Sequence, residues 1–540
     1  METSRKTTAE PSIGPGTSVR EIMTRYPAAE GIFERHGLLG CGGPHGPREP
    51  VAFFARVHQV DPDLLLAELN TFASAQANEG AEPVSRPEPP RAVYPYFLIT
   101  SLAVALLLGF TTGSLALASA ALGRGLPGVN WLTFIQMHGR LQLYGFAGLF
   151  VFGVAYHIVP RFVAVPLAWP RLAVLSFGFA LIGVAASAIQ AITVGDLGLL
   201  HLIFTLGLVG LFLAAACYAS VLFGTIRQCG SLTLPLLMLL AGATWLVVGS
   251  LGEVWLGAAS QPGGAIFEPF EEPALEAILE GFLIVTILGV SLRTLPVFGG
   301  LAKTRDGVVS RALPTVLVGL VLLIAGMTLA GPVNDPRFGF ALAGPGAVIV
   351  FASSVAFVWG LRLYESATLP VAELGTGQGW LRAIRTAYVW LLVGTGLQAI
   401  VVVQAALSGA GVAWGPLNAG RHALALGFVT LMIVGMASRV VPVFAGKPLW
   451  KPWLVDLATV CIGGSVLLRV PLEALMPYGN TLTGPFLAAS GPLALTGLIA
   501  FALNFALTMS RRDPSPRTTT PGPDLTWPPR AAKPAEEFRT

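Results

Sequence analysis

Twelve stretches of about 20 or more apolar residues constrain this chain before anything else, because each is long enough to cross a bilayer as a helix. They run at 94–121, 131–159, 169–194, 198–225, 231–258, 273–297, 311–331, 340–362, 381–408, 418–443, 452–470 and 482–509. Lipid offers no hydrogen bonds to a bare backbone, so such segments span as helices. Only 11% of the residues are charged, against roughly 25% in soluble domains. Mean hydropathy is +0.70. These values exclude a soluble enzyme and predict an all-α polytopic membrane protein whose first partner is the lipid bilayer. The net charge of +4 is spread by loop rather than gathered in a patch, so no nucleic-acid partner is expected. Cys41, Cys217, Cys229 and Cys461 are scattered, which leaves no disulfide framework and no CxxC metal pair.

Basic residues orient the spans, since they collect on the cytoplasmic side. With the N-terminus inside, the inner loops hold Arg161, Arg171, Arg227, Lys303, Arg305, Arg311, Arg362, Arg382, Arg385, Lys447 and Lys451. The outer loops hold Arg124, Arg337 and Arg469, with an acidic run at Glu268, Glu271 and Glu272. Arg511 and Arg512 place the C-terminus inside as well. The expected location is the inner (plasma) membrane, with both termini cytoplasmic.

An internal repeat divides the spans. Gly145-Phe146 is followed by His157, Pro160 and Phe162; Gly281-Phe282 by Arg293, Pro296 and Phe298; Gly427-Phe428 by Arg439, Pro442 and Phe444. The Gly-Phe pair precedes the polar residue by twelve positions each time, and the copies fall in the second, sixth and tenth spans. The period is therefore four helices, giving three pseudo-repeats. Repeats of this kind place binding sites at the interfaces between units. His157, Arg293 and Arg439 are equivalent, and are expected to act as anchors that snorkel to the headgroups.

Residues 18–75 have the composition of a small soluble helical domain. It is preceded by a disordered 1–17, joined to the membrane part (93–510) by a Pro-rich linker at 76–92, and balanced by a disordered tail at 511–540. Ser18-Val-Arg-Glu21 fits a capping box, and Asp61-Pro62 opens a later helix. So small a unit buries a marginal core and is expected to lean on a partner or a dimer mate. Its motifs, Val19-Arg-Glu-Ile22, Tyr26-Pro27, His36-Gly-Leu38, Cys41-Gly-Gly43 and Leu65-Leu-Ala-Glu-Leu-Asn70, resemble the helical domain at the N-termini of iron–sulfur repair and hybrid-cluster-associated proteins. Cys41 has no second cysteine beside it, and reads as a turn residue in a docking domain. His36, His45 and His58 are expected at the surface.

Ionisable groups inside spans are costly, and each is a functional hypothesis. His138 lies about seven residues into the second span, roughly 10 Å deep, and His422 about four residues into the tenth, roughly 6 Å deep. Two imidazoles at similar depth on parallel helices suit the two faces of a haem. The alternative is a pair of hydrogen-bonded membrane histidines, near a lipid or quinone headgroup. His201, opening the fourth span, reads as an interface residue. Arg140, Glu276 and His422 each stand five residues before their Gly-Phe pair. Arg140, Arg421 and Arg469 are candidate partners for haem propionates. Glu253, Glu276 and Glu280 are candidates for a proton path or a hard metal ion; the alternative is that Glu276 balances Arg140 and the other two face water in a vestibule.

His138 with Gly145-Phe-Ala-Gly148, and His422 with Gly427-Phe428, resemble the second and tenth helices of haem–copper oxidase subunit I, especially the C type. His422 with Ser438-Arg439 is also similar to the NnrS family of twelve-span haem proteins linked to nitric oxide metabolism. The resemblance implies that His138 and His422 are axial ligands of a low-spin haem b. In the tenth helix of that family a first histidine ligates a high-spin haem; here the position is Gly420, and the sixth and seventh spans carry no histidine for copper. It therefore implies electron transfer or a haem-linked response in respiratory or nitric oxide metabolism, with a redox partner or quinol, and without a complete oxygen-reducing centre. A cofactor-free transporter or channel, lined by the repeat and its charges, is the competing expectation.

Overall fold

A computed structural model describes residues 13–38, 46–79, 92–121, 123, 126, 129–190, 197–262, 264–266, 268–331, 336–367, 377–475 and 482–511, with backbone alone at 77–79 and 268–270. Cys41 and His45 lie outside the described residues. The N-terminal unit has helices α1 (Val19–Arg25), α2 (Glu30–Arg35), α3 (Val51–His58) and α4 (Pro62–Glu79). The expected caps form: Ser18 Oγ accepts from Glu21 N at 3.1 Å, and Asp61 Oδ1 from Asp63 N at 2.9 Å. The ordered unit begins before Ser18, because Ile13 is tied to Asn70 by two hydrogen bonds of 2.8 and 2.9 Å.

Among the described residues, twelve helices are long and apolar enough to span: Tyr94–Ala121, Trp131–Val163, Pro170–Ile189, Leu197–Ile226, Leu234–Ala259, Glu271–Phe298, Asp306–Ala330, Arg337–Leu361, Gly379–Ser408, Trp414–Ala445, Trp453–Leu475 and Gly484–Ser510. The chain is a multi-pass membrane protein. The second, sixth and tenth spans are 78%, 78% and 83% buried over their apolar windows, against 39–50% for the other nine. The three repeat helices thus form the centre, and the other nine spans enclose them.

The repeat is reproduced in fine structure. Each central helix contains a π-helical stretch of eight residues at the same register: Leu141–Gly148, Ala277–Ile284 and Ala423–Thr430. Such wide turns often mark functional sites. A Cβ on the glycine of each Gly-Phe pair would lie 2.6–2.7 Å from the preceding span, against Val104, Trp245 and Trp390 respectively. Glycine there lets each central helix press onto its neighbour. The equivalent prolines close the helices alike, with Val165 N donating to Pro160 O, Leu301 N to Pro296 O and Lys447 N to Pro442 O.

The N-terminal unit leans on the membrane domain of its own chain, where a partner or dimer mate was expected. Phe53 stacks on Phe298 at 6.1 Å, and Arg20 Nη2 donates to Gly446 O at 3.0 Å. This docking overturns two surface expectations. The α3 residue His58 faces the membrane domain, its ring stacked on Phe54 at 4.2 Å. His157, Arg293 and Arg439 do not snorkel to headgroups, because the docked unit covers that face of the bundle. His157 is buried between Tyr94 and Phe444, with ring centroids at 4.4 and 3.9 Å. Arg439 is buried against Phe53 and Phe298, and Arg293 lies over Phe162.

Candidate functional site

At the opposite end of the bundle, the three central helices enclose a cavity of about 160 Å³. His138 and His422 both line it, from opposite helices, among apolar side chains that include Phe110, Leu143, Phe146, Leu279 and Val429. Thr112 Oγ1, a hydroxyl that can donate or accept, lies 3.2 Å from His138 Nδ1. His422 Nδ1 lies 2.9 Å from Asn418 O, which can only accept, so that Nδ1 carries the hydrogen and Nε2 keeps its lone pair. Metal-binding histidines are held in this way, with the non-ligating nitrogen donating to a fixed acceptor.

Further groups hold these imidazoles, and the sequence did not single them out. A Cβ on Gly113 of the first span would lie 2.6 Å from His138 Cε1, so the ring packs close against that bare stretch of helix. Glu473 Oε2 lies 3.1 Å from His422 Nδ1, beside the line of its N–H, and Glu473 Oε1 accepts from Arg469 Nε at 2.8 Å. Glu473 comes from the eleventh span, far from any motif, and only its helical i, i+4 spacing to Arg469 was there to be noticed.

Three arginines were candidate anion partners, and the structure treats them differently. Arg421 lines the cavity and pairs with Glu272 and Glu276. Arg469 acts through Glu473. Arg140 lies off the cavity, 1% exposed, with its N–H groups given to Glu253 (2.6 Å), Glu271 (2.8 Å) and Gln190 (2.7 Å). Its guanidinium also stands 5.3 Å from the Phe204 ring, so one side chain joins the second to sixth spans. Glu276 thus balances Arg421, and Glu253 balances Arg140. Glu280 is buried beside Glu276 and Gln398. Among the described residues, no three His, Cys, Asp or Glu side chains converge as a metal site. His201 is half-buried at the head of the fourth span. A Cβ at Gly420 would meet only the ninth span, 3.4 Å from Gly394 O, so a side chain there would point away from the cavity.

Nine spans around three central helices, with a histidine-lined cavity at one end, define the class: a membrane protein of the haem–copper oxidase fold. A haem–copper terminal oxidase dimer solved by cryo-EM superposes with a TM-score of 0.58 over 80% of this chain and 88% of that chain, at 12% identity. Residues 91–512 match the NnrS protein family, and the chain belongs to it. No curated protein sequence matches the chain.

Proposed function

We propose that this protein holds a low-spin haem b between His138 and His422, and that it serves electron transfer or a haem-linked response in respiratory or nitric oxide metabolism. The observation that carries the proposal is the pair of imidazoles on one cavity, with His422 Nδ1–H given to Asn418 O and His138 Nδ1 within reach of the Thr112 hydroxyl. Held by His138 and His422, the haem would supply one-electron chemistry. The chain's own residues hold and tune the site. Thr112 and Asn418 orient the rings, and Gly113 makes room for one of them. Glu473 adds negative charge beside His422, and Arg469 fixes Glu473. Arg421, on the cavity wall, stands where a propionate could share it with Glu272 and Glu276. Arg140 binds no propionate in this reading; it locks together the helices that frame the cavity. The oxidase-like likeness and the family membership support haem as the ligand. The setting in nitric oxide or respiratory metabolism rests on the resemblance of the second and tenth spans.

The test is spectroscopic. The protein is purified in detergent from cells supplied with haem, and reduced-minus-oxidised spectra are recorded for wild type, His138→Ala and His422→Ala. A low-spin b-type spectrum in the wild type, absent from both variants, is the expected result. A folded wild-type protein without haem would remove the proposal and leave a cofactor-free transporter or channel.

A further inference from the structure

A second cavity of about 140 Å³ lies between the same three helices at the other end, under the docked N-terminal unit. Its walls are apolar, with Phe150, Val154, Ile287, Met432 and Met436 among them, while Glu49, His58, Arg161 and Arg439 stand at its rim. Arg439 is 1% exposed, and among the described residues none of its three guanidinium nitrogens has a hydrogen-bond partner. Its nearest carboxylate oxygen, Glu49 Oε1, is 3.9 Å away, beyond hydrogen-bond reach. The faces of Phe53 and Phe298, at 5.3 and 4.9 Å, hold the guanidinium in place but satisfy no N–H. Thr286 Oγ1, on the cavity wall, is also without a partner. Arg293 lies beside this group over Phe162, a wall residue, with its own Nε unpartnered.

Burying a cation without hydrogen bonds costs several kcal/mol. Two guanidinium groups, of Arg161 and Arg439, and a single carboxylate, of Glu49, stand at the rim, so it carries net positive charge. A dry cavity of about 150 Å³ accepts a benzene-sized apolar body. We propose that this cavity binds an anionic amphiphile, with its carboxylate or phosphate head on Arg439 and a short acyl chain or single ring among Phe150, Ile287, Met432 and Met436. The source is either a free medium-chain acid or the head of an anionic phospholipid. Because Glu49 and His58 come from the N-terminal unit and Arg439 from the tenth span, the ligand bridges the two parts of the chain.

The experiment uses the full-length, delipidated protein in non-ionic detergent, and its readout does not involve haem. Octanoate and octan-1-ol are titrated by calorimetry, with wild type, Arg439→Gln, Met436→Trp and the exposed control Arg171→Gln. Octanoate should saturate one site, and octan-1-ol should bind at least about tenfold more weakly. Arg439→Gln should lose about tenfold or more in octanoate affinity, and Arg171→Gln should match wild type. Met436→Trp fills the cavity while keeping every cation, and decides the matter if Arg439→Gln does not fold. Native mass spectrometry after incubation with phosphatidylglycerol forms the other arm. One retained phospholipid, lost in the same variants, assigns the site to a lipid head; octanoate binding without retained phospholipid assigns it to a free acid. Equal binding of octanoate and octan-1-ol, no binding of either anion, or binding that survives both variants would overturn the proposal.

Discussion

Glu473 shows how much of this site depends on single buried groups. Its carboxylate stands 3.1 Å from His422 Nδ1 and is held by Arg469. A negative charge there raises the basicity of the imidazole, which favours an oxidised metal over a reduced one. Glu473→Gln keeps the shape and removes the charge. The expected result is a raised midpoint potential in a redox titration and haem affinity weaker by about 10- to 100-fold; an unchanged potential would show that the carboxylate has no tuning role. Arg140 poses a different residue-scale question. Its partners Glu253 and Glu271 are almost fully buried, so Arg140→Met strands two carboxylates. Removing one member of such a cluster costs about 3–5 kcal/mol. Thermal unfolding in detergent should register that loss, and Glu253→Gln combined with Arg140→Met should recover part of it.

At the scale of the element, the three central helices repeat their wide turns and their bare contacts with the preceding spans. Gly427 sits where a Cβ would lie 2.6 Å from Trp390. Gly427→Val therefore overpacks the crossing, at about 1–3 kcal/mol, and thermal unfolding should show it. Gly113 has the same role for the His138 ring. Gly113→Leu should displace the His138 ring and abolish the low-spin spectrum with little effect on the yield of folded protein, whereas an unaltered spectrum would mean that the first span does not position the ring.

For the whole molecule, the docked N-terminal unit is the feature that pH should move. Burial pushes Glu49 up to about 7, while Arg439 draws it partly back. Burial pushes His58 down to about 3, with Arg293, Arg161 and His36 adding to the fall. A carboxyl raised from 4.5 stabilises docking fully below about pH 4.5, and that contribution is lost as pH rises through 7. An imidazole lowered from 6.5 contributes fully above that pH, and its contribution is lost as pH falls toward 3. The two slopes oppose each other between 4.5 and 6.5. Hydrogen exchange of α3 amides should show greatest protection in that window and less on both sides. Glu49→Gln should remove the decline above it, and Phe53→Ala should lower protection at every pH.

Much of the architecture was legible in the chain. Twelve apolar runs fix twelve helices, because lipid leaves the backbone no other partner. The spacing of Gly-Phe, the polar residue and proline fixes a three-fold repeat, which the π-helical stretches follow residue for residue. His138 and His422 stand out by their rarity inside apolar spans, and they line one cavity. What the sequence could not assign were pairings between distant helices. Arg140 looked like a partner for an external anion, yet it holds Glu253, Glu271 and Gln190. Glu473 carried only its i, i+4 spacing to Arg469, because its relation to His422 exists only where the tenth and eleventh spans meet. Arg439 and His58 looked like surface groups; docking of the N-terminal unit on its own membrane domain buries the first and partly covers the second. Periodicity and apolar length are local properties, written along the chain. Which charge meets which is set by how helices far apart in sequence pack, and that belongs to the tertiary structure alone.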